Sequence, residues 1–387
     1  MSEPLVLAID GGNSKTDLAL VRGDGAVAAL VRGGQSSPHH LGVDGALGVI
    51  RDLLDQALAQ AGIENGAGPV ADVGQLLLAG VDFPSEVEQM QAAASARRLA
   101  RRVKVENDTF AVLRAGSDEG WGVAVVCGAG INCSGIAPDG RHSRFPALGW
   151  TTGDWGGGYD VGCEATLAAA RSEDGRGPKT SLEEAVPRHF GLETPMQLAE
   201  AVHTGRLSQR RVIELAPVVF AEAEHDAVAA GIVDRLAEEV VTMVRVTIER
   251  LGLQDEAVPV ILGGGLMQSG YERLISGIQT DLHQVAPAAT AEVTSSPPIV
   301  GAALLGLDDL ERAGHDLDVR VQPVQREREL PLVRHRVRRA HLRRRPQERR
   351  DDAVAREELC LEQRQQDADV HDPRRRQVER REAVQRG

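Results

Sequence analysis

Carboxylates, amides and glycines follow directly on apolar runs at several points in this chain. Residues 5–9 form one such run, which ends at Asp10-Gly11-Gly12-Asn13-Ser14-Lys15-Thr16 before a second run over residues 18–21. The spacing reads as two buried strands joined by a tight hairpin. Gly11 and Gly12 permit backbone conformations closed to other residues, so main-chain N–H groups there can approach phosphate oxygens. Asp10, at the strand end, could hold a divalent cation, while Ser14, Lys15 and Thr16 offer hydroxyls and one positive charge. The set suits ATP with Mg²⁺. Taken alone, it equally suits an ordinary glycine hairpin with a solvated Asp.

Later stretches repeat the pattern. Gly128-Ala129-Gly130 joins apolar runs over 122–127 and 131–136, the latter carrying Asn132. Two strand, glycine turn, strand units suggest a duplicated fold whose phosphate loops face a common cleft. Gly263-Gly264-Gly265 follows the run 258–262, and such a turn lets a flat base and ribose lie against backbone. Asn107-Asp108 ends a short strand over 103–106, at the edge where ligands gather in sheets of this kind. From spacing alone Asp108 reads as the N-cap of a helix over 109–115. Asp154, among glycines, is a turn former or a ligand contact. The polar loop containing Ser36, Ser37 and His39 is a site lining or a solvated connector.

The elements that must position these residues are legible as apolar periodicity. A third strand is expected over 25–31, helices over 43–61 and 85–99, and a strand over 73–80 between them. Ser85 is the expected N-cap of the second helix, with Glu88 completing a capping box. Helices are also expected over 160–171, through most of 181–252 (with a long amphipathic run at 227–251), over 271–285 and over 298–307. A last short strand is expected at 293–296. These elements divide into a domain over 1–117, a second over 118–297, a helix at 298–313 packing back on the first, and a tail over 314–387.

The 387 residues are 42% hydrophobic, enough for two cores. No apolar run approaches the roughly 18 residues of a membrane span, and Met1-Ser2-Glu3-Pro4 lacks the basic start of a signal peptide. A cytoplasmic protein without membrane partners is expected. Cys127, Cys133, Cys163 and Cys360 form no C-x-x-C pair, which argues against a disulfide scaffold or zinc knuckle. The net charge of −13 gives little support to nucleic-acid binding. Yet residues 321–387 carry 19 basic side chains, all arginine, against 13 acidic ones, and few apolar residues. That segment reads as a disordered tail or the product of a shifted reading frame.

In this order and spacing the motifs resemble the acetate and sugar kinase, Hsp70 and actin superfamily, and within it the N-acetylglucosamine kinase and BadF/BadG/BcrA/BcrD ATPase family, over about residues 5–310. The resemblance implies an α/β fold of two ribonuclease H-like, actin-like ATPase domains facing a nucleotide and sugar cleft. By it Asp10 organises Mg²⁺, Gly11 to Thr16 and Gly128 to Gly130 hold the ATP phosphates, and Gly263 to Gly265 border the nucleoside. Asp108 becomes the general base, and Ser36, Ser37, His39, Asn107, Asn132 and Asp154 line the sugar. The implied activity is phosphorylation of an amino sugar, N-acetylglucosamine to its 6-phosphate, by a protein compatible with a homodimer. An ATPase that activates a partner enzyme, or an inactive relative, is the alternative. This chain has Gly128-Ala129-Gly130 where the family usually has Gly-Thr-Gly, and Gly153-Asp154-Trp155-Gly156 where it has Gly-Asp-Glu-Gly. Trp155 then stacks on a sugar face or packs in its loop.

Overall fold

Two five-stranded mixed sheets with the same strand order carry the structure, a computed structural model that describes residues 3–65 and 68–315. The arginine-rich segment from residue 316 onward lies outside the described residues. The first sheet holds β1 (Leu5–Gly11), β2 (Thr16–Arg22), β3 (Val27–Gly33), β4 (Ala71–Leu78) and β5 (Ala100–Asn107), in the order β3-β2-β1-β4-β5. β1, β2 and β3 form an antiparallel meander, and β4 and β5 add in parallel. β1 and β2 are buried nearly throughout because both faces of the sheet are covered, which is why they read as continuous apolar runs.

The second sheet repeats that plan with β6 (Gly122–Cys127), β7 (Ile131–Ile136), β8 (His142–Arg144), β9 (Pro259–Gly263) and β10 (Thr290–Val293). Its order is β10-β9-β6-β7-β8, again an antiparallel meander extended by two parallel strands. Helices α1 (Pro38–Ala61) and α2 (Pro84–Ala96) cover one face of the first sheet, and α3 (Thr109–Gly116) and α11 (Pro298–His315) the other. Between β8 and β9 come α4 (Gly157–Glu173), α5 (Leu182–His189), α6 (Pro195–His203), α7 (Ala216–Glu222) and α8 (Ala227–Leu251). Then follow α9 (Gly265–Gln268) and α10 (Glu272–Val285).

One short helix belongs to both cores. On α3, Phe110 and Ala111 pack with α11 and the first sheet, while Val112 and Leu113 pack with Ala124 and Ile261 of the second. We call each sheet with its own helices a lobe, and α3 is the element they share.

Several expected boundaries shift. α2 begins at Pro84 with Phe83 at the N-cap, so Ser85 lies inside the first turn. Proline suits the first helical position because its missing N–H costs nothing there. Glu86, not Glu88, turns back to accept the N–H groups of Asp82 and Phe83 at 2.7 and 2.9 Å. By the same rule α1 starts at Pro38, well before residue 43, and breaks its helical path at Gly42 (φ +68°). β10 lies upstream of the expected 293–296, where Thr290 to Val293 pair with Pro259 to Leu262.

Candidate functional site

Strand register brings the acidic residues to one sheet edge. Asp10 stands opposite Asp17 on β2 and beside Leu77 on β4, and Leu78 stands beside Asn107 on β5. Asp10 is level with Glu106, and Asn107 lies one residue further along, so Asp10 and Asn107 share the C-terminal edge of the sheet with β4 between them, and Asp108 follows. Burial, then the charges of Asp17 and Asp108, push the Asp10 carboxyl up to about 8, against the pull of Lys15 and Arg32. Asp17, only 2% exposed, is held by a two-point ion pair with Arg32 at 2.7 and 2.8 Å.

The hairpin turn closes with the Gly12 N–H on the Lys15 carbonyl at 2.9 Å, leaving Asn13, Ser14 and Lys15 exposed. Thr16 is buried, and its hydroxyl donates to Ser36 Oγ at 2.8 Å. The Ser36 N–H also reaches the Gly12 carbonyl at 3.3 Å, so the loop after β3 clamps the turn. Ser37 is buried as well, its hydroxyl without a hydrogen-bond partner, and His39 is exposed at the start of α1.

Asn107 is almost fully buried and organises its surroundings. Its Oδ1 accepts the Thr109 N–H at 3.1 Å, the Thr109 hydroxyl at 2.8 Å and Asn132 Nδ2 at 3.4 Å. Its Nδ2 donates to Asp82 Oδ1 at 3.0 Å. Asp108 occupies the N-cap position of α3, as the spacing suggests, but its side chain makes no cap hydrogen bond, and the Asn107 side chain supplies that bond instead. Burial and the Asp82 charge push the Asp108 carboxyl up to about 6, with nearby backbone N–H groups opposing. Its ionised form is then abundant at neutral pH while it remains basic enough to accept a proton.

The second glycine group lies on the other lobe. The Gly128 N–H closes the β6–β7 turn on the Gly130 carbonyl at 2.9 Å. The start of α4 docks there, with Gly158 and Tyr159 donating to the Gly128 and Ala129 carbonyls at 2.8 and 2.9 Å. Gly157 has φ +82°, and a Cβ on it would lie 2.4 Å from the Gly130 backbone, so only glycine fits. Gly263 pairs with Val126, which puts Gly264 and Gly265 beside the same turn. Gly128, Gly130 and Gly265 face open space, with no atom within 4 Å of a Cβ built on any of them. Exposed main chain of this kind fits phosphate oxygens and a nucleoside. Among the described residues no group of three or more His, Cys, Asp or Glu side chains forms a metal cage; the Asp10 carboxylate is a single hard oxygen donor, of the kind that suits Mg²⁺ held largely by water and phosphate.

Asp154 stays in its own loop, accepting from the Thr152 hydroxyl and donating its N–H to the Gly149 carbonyl at 3.1 Å. Its charge is felt by Glu239 on α8. Trp155 packs in its loop: its ring lies 3.9 Å under the Arg235 guanidinium and against the second core. Sequence reasoning missed Asp17, Asp82 and Arg144. Burial and Glu86 push Asp82 up to about 6, with Arg144 and His39 opposing. Arg144 donates to the Val81 carbonyl at 2.7 Å and to the Asp82 carbonyl. Asp82 carried the same signal as Asp108, an acid just past a strand end.

Residues 7–306 match the model of the BadF/BadG/BcrA/BcrD ATPase family. The chain belongs to this family. It is 27% identical over 265 residues to an N-acetylmuramic acid/N-acetylglucosamine kinase of Clostridium acetobutylicum, covering 68% of this chain and 86% of that one. To the N-acetyl-D-glucosamine kinase of Dictyostelium discoideum it is 26% identical over 322 residues, covering 80% and 99%. A solved Chromobacterium violaceum structure, described as a candidate N-acetylglucosamine kinase, superposes with a TM-score of 0.61 at 25% identity, covering 79% of this chain and 99% of that one. The α/β fold is accordingly the actin-like ATPase fold of sugar kinases, and ATP use follows from the family. Among the described residues no helix is long and apolar enough to cross a membrane.

Proposed function

We propose that this BadF/BadG/BcrA/BcrD family member is an ATP-dependent kinase acting on an amino sugar, with the 6-hydroxyl of N-acetylglucosamine as acceptor. The observation that carries the proposal is the Asp108 carboxyl, released from helix capping by Asn107 and set at the sheet edge beside Asp10. A sugar hydroxyl that gives its proton to Asp108 attacks the γ-phosphorus. A new O–P bond forms and the bond to the leaving ADP oxygen breaks. Such transfer needs alignment and charge neutralisation more than covalent help.

Gly11 to Thr16 and Gly128, Ala129 and Gly130 would hold the phosphates, and Gly263 to Gly265 the nucleoside. Asp10 would hold Mg²⁺, which when bound neutralises phosphate charge. Asn132 and Asp154 approach the acceptor from the second lobe, and His39 from the first. Ser36 and Ser37 act by shaping that wall, since both are buried. We take 1–117 with 298–313 and 118–297 as the two domains that close over the sugar, in a cytoplasmic enzyme. Closure excludes water and so suppresses hydrolysis of ATP.

The test is a coupled ATP-consumption assay against N-acetylglucosamine, N-acetylmannosamine, glucosamine, glucose and no sugar. Turnover that depends on an N-acetylhexosamine is expected. Sugar-independent hydrolysis would shift the assignment to an ATPase that serves a partner enzyme.

A further inference from the structure

The two lobes meet through polar bonds beside the base. Arg144, the last residue of β8, spends Nη1 and Nη2 on the carbonyls of Val81 and Asp82, which have just left β4 of the other lobe. Asp82 in turn accepts Asn107 Nδ2, Asn107 caps α3, and Asp108 stands at the start of that helix. A second bond across the lobes, Asn132 Nδ2 to Asn107 Oδ1, meets the same chain of contacts at its middle.

Arg144 is half-buried and sits in the field of Asp82, Glu86 and Glu106, yet its hydrogen bonds go to two successive carbonyls. The rigid guanidinium fork can span both, whereas an ammonium is a single point charge. The contact fixes where the turn after β4 lies relative to the second lobe, and the turn fixes Asp82 and Asn107.

We propose that Arg144 is a positioning residue for phosphoryl transfer: it ties the second lobe to the Val81–Asp82 turn and thereby keeps Asp108 in register with the acceptor hydroxyl. The inference rests on the kinase assignment above and goes beyond it, because Arg144 is not among the groups assigned to substrate and bonds to backbone carbonyls. A misplacement of about 1 Å at a reacting group is enough to cost on the order of 100-fold in rate.

The experiment compares wild type with Arg144→Met and Arg144→Lys. Sugar-dependent turnover is read alongside binding of a fluorescent ATP analogue, and turnover of the Met variant is repeated with guanidinium ion or matched sodium chloride. Arg144→Met is expected to lower kcat/KM for the sugar by roughly 10- to 100-fold. Nucleotide affinity should hold, the Lys variant should be intermediate, and guanidinium but not sodium should restore part of the rate. Turnover equal to wild type, or a loss shared by nucleotide binding and untouched by guanidinium, would overturn the proposal.

If wild type phosphorylates no sugar, the kinase assignment fails by itself. Arg144 is then judged by amide hydrogen exchange, where Arg144→Met is expected to speed exchange over residues 79–83 and 107–109. Unchanged exchange there would overturn the tie.

Discussion

The Asn107 side-chain oxygen accepts the Thr109 N–H at a distance of 3.1 Å, while the Asp108 side chain makes no cap hydrogen bond. Neighbouring residues have divided two tasks that either could perform. Asp108 is thereby available to a ligand, and Asp108→Asn should fold normally, because the capping bond stays in place. Sugar phosphorylation is expected to fall by about 100-fold or more, while binding of a fluorescent ATP analogue persists. Retained turnover would falsify the assignment of Asp108 as base.

The environment of Asp108 sets a pH dependence. With its carboxyl pushed up to about 6, kcat/KM for the sugar should rise as pH increases through about 6 and level off above it. Part of the upward push comes from the Asp82 charge, so neutralising that neighbour should lower the Asp108 value. Asp82→Asn keeps an acceptor for Asn107 and removes the charge. Its pH–rate profile should therefore have its acid limb displaced to lower pH. A limb that stays in place, or moves up, would mean that Asp82 does not act on Asp108 through charge.

Asp10 gives a stability prediction with a defined sign. Its carboxyl moves from an ordinary 3.8 to about 8 on folding. Between those values the folded state retains a proton that the unfolded chain has lost. Stability therefore falls as pH rises through that window and is flat above it. Asp10→Asn removes the effect, so its melting temperature should exceed that of the nucleotide-free wild type at pH 8, and the two should converge toward pH 4. Such a gain would accompany loss of Mg²⁺-dependent activity, as expected where a site stores unfavourable charge for a ligand. Equal melting temperatures at pH 8 would show that Asp10 carries no such penalty.

The strand, glycine turn, strand units over 5–22 and 122–136 could be read from sequence because buried strands are continuous apolar runs and glycine marks their turns. Asp10 and Asn107 stood out for the same reason. The start of α2 was obscured by competing signals: Ser85 has a capping hydroxyl, but Pro84 takes the first helical position and moves the cap to Phe83. That error also hid Asp82, placed just before the helix rather than in a loop of its own. Arg144 carried no local signal, since its partners are backbone carbonyls more than sixty residues away. Trp155 was ambiguous because its partner, Arg235, lies on α8.

Gly80, in the connection from β4 to α2, packs against the loop that carries Ser37. It has φ +79°, and a Cβ on it would lie 2.5 Å from Ser37 Oγ and 2.9 Å from His39 Cβ. Ser37 is fully buried, and the same added Cβ also meets His39, so a side chain at position 80 presses on the start of α1. Gly80→Ala combines that clash with a left-handed backbone, at a cost of about 1–3 kcal/mol. A lower melting temperature is expected together with a raised KM for the sugar and little change in that for ATP, since the phosphate turns lie elsewhere. Gly140→Ala is the control, because φ there is +87° but nothing lies within 4 Å of the added Cβ. Backbone strain alone would lower the melting temperature of both variants equally and leave both sugar KM values unchanged. A rise confined to Gly80→Ala would show that the wall formed by Ser37 and His39 borders the acceptor.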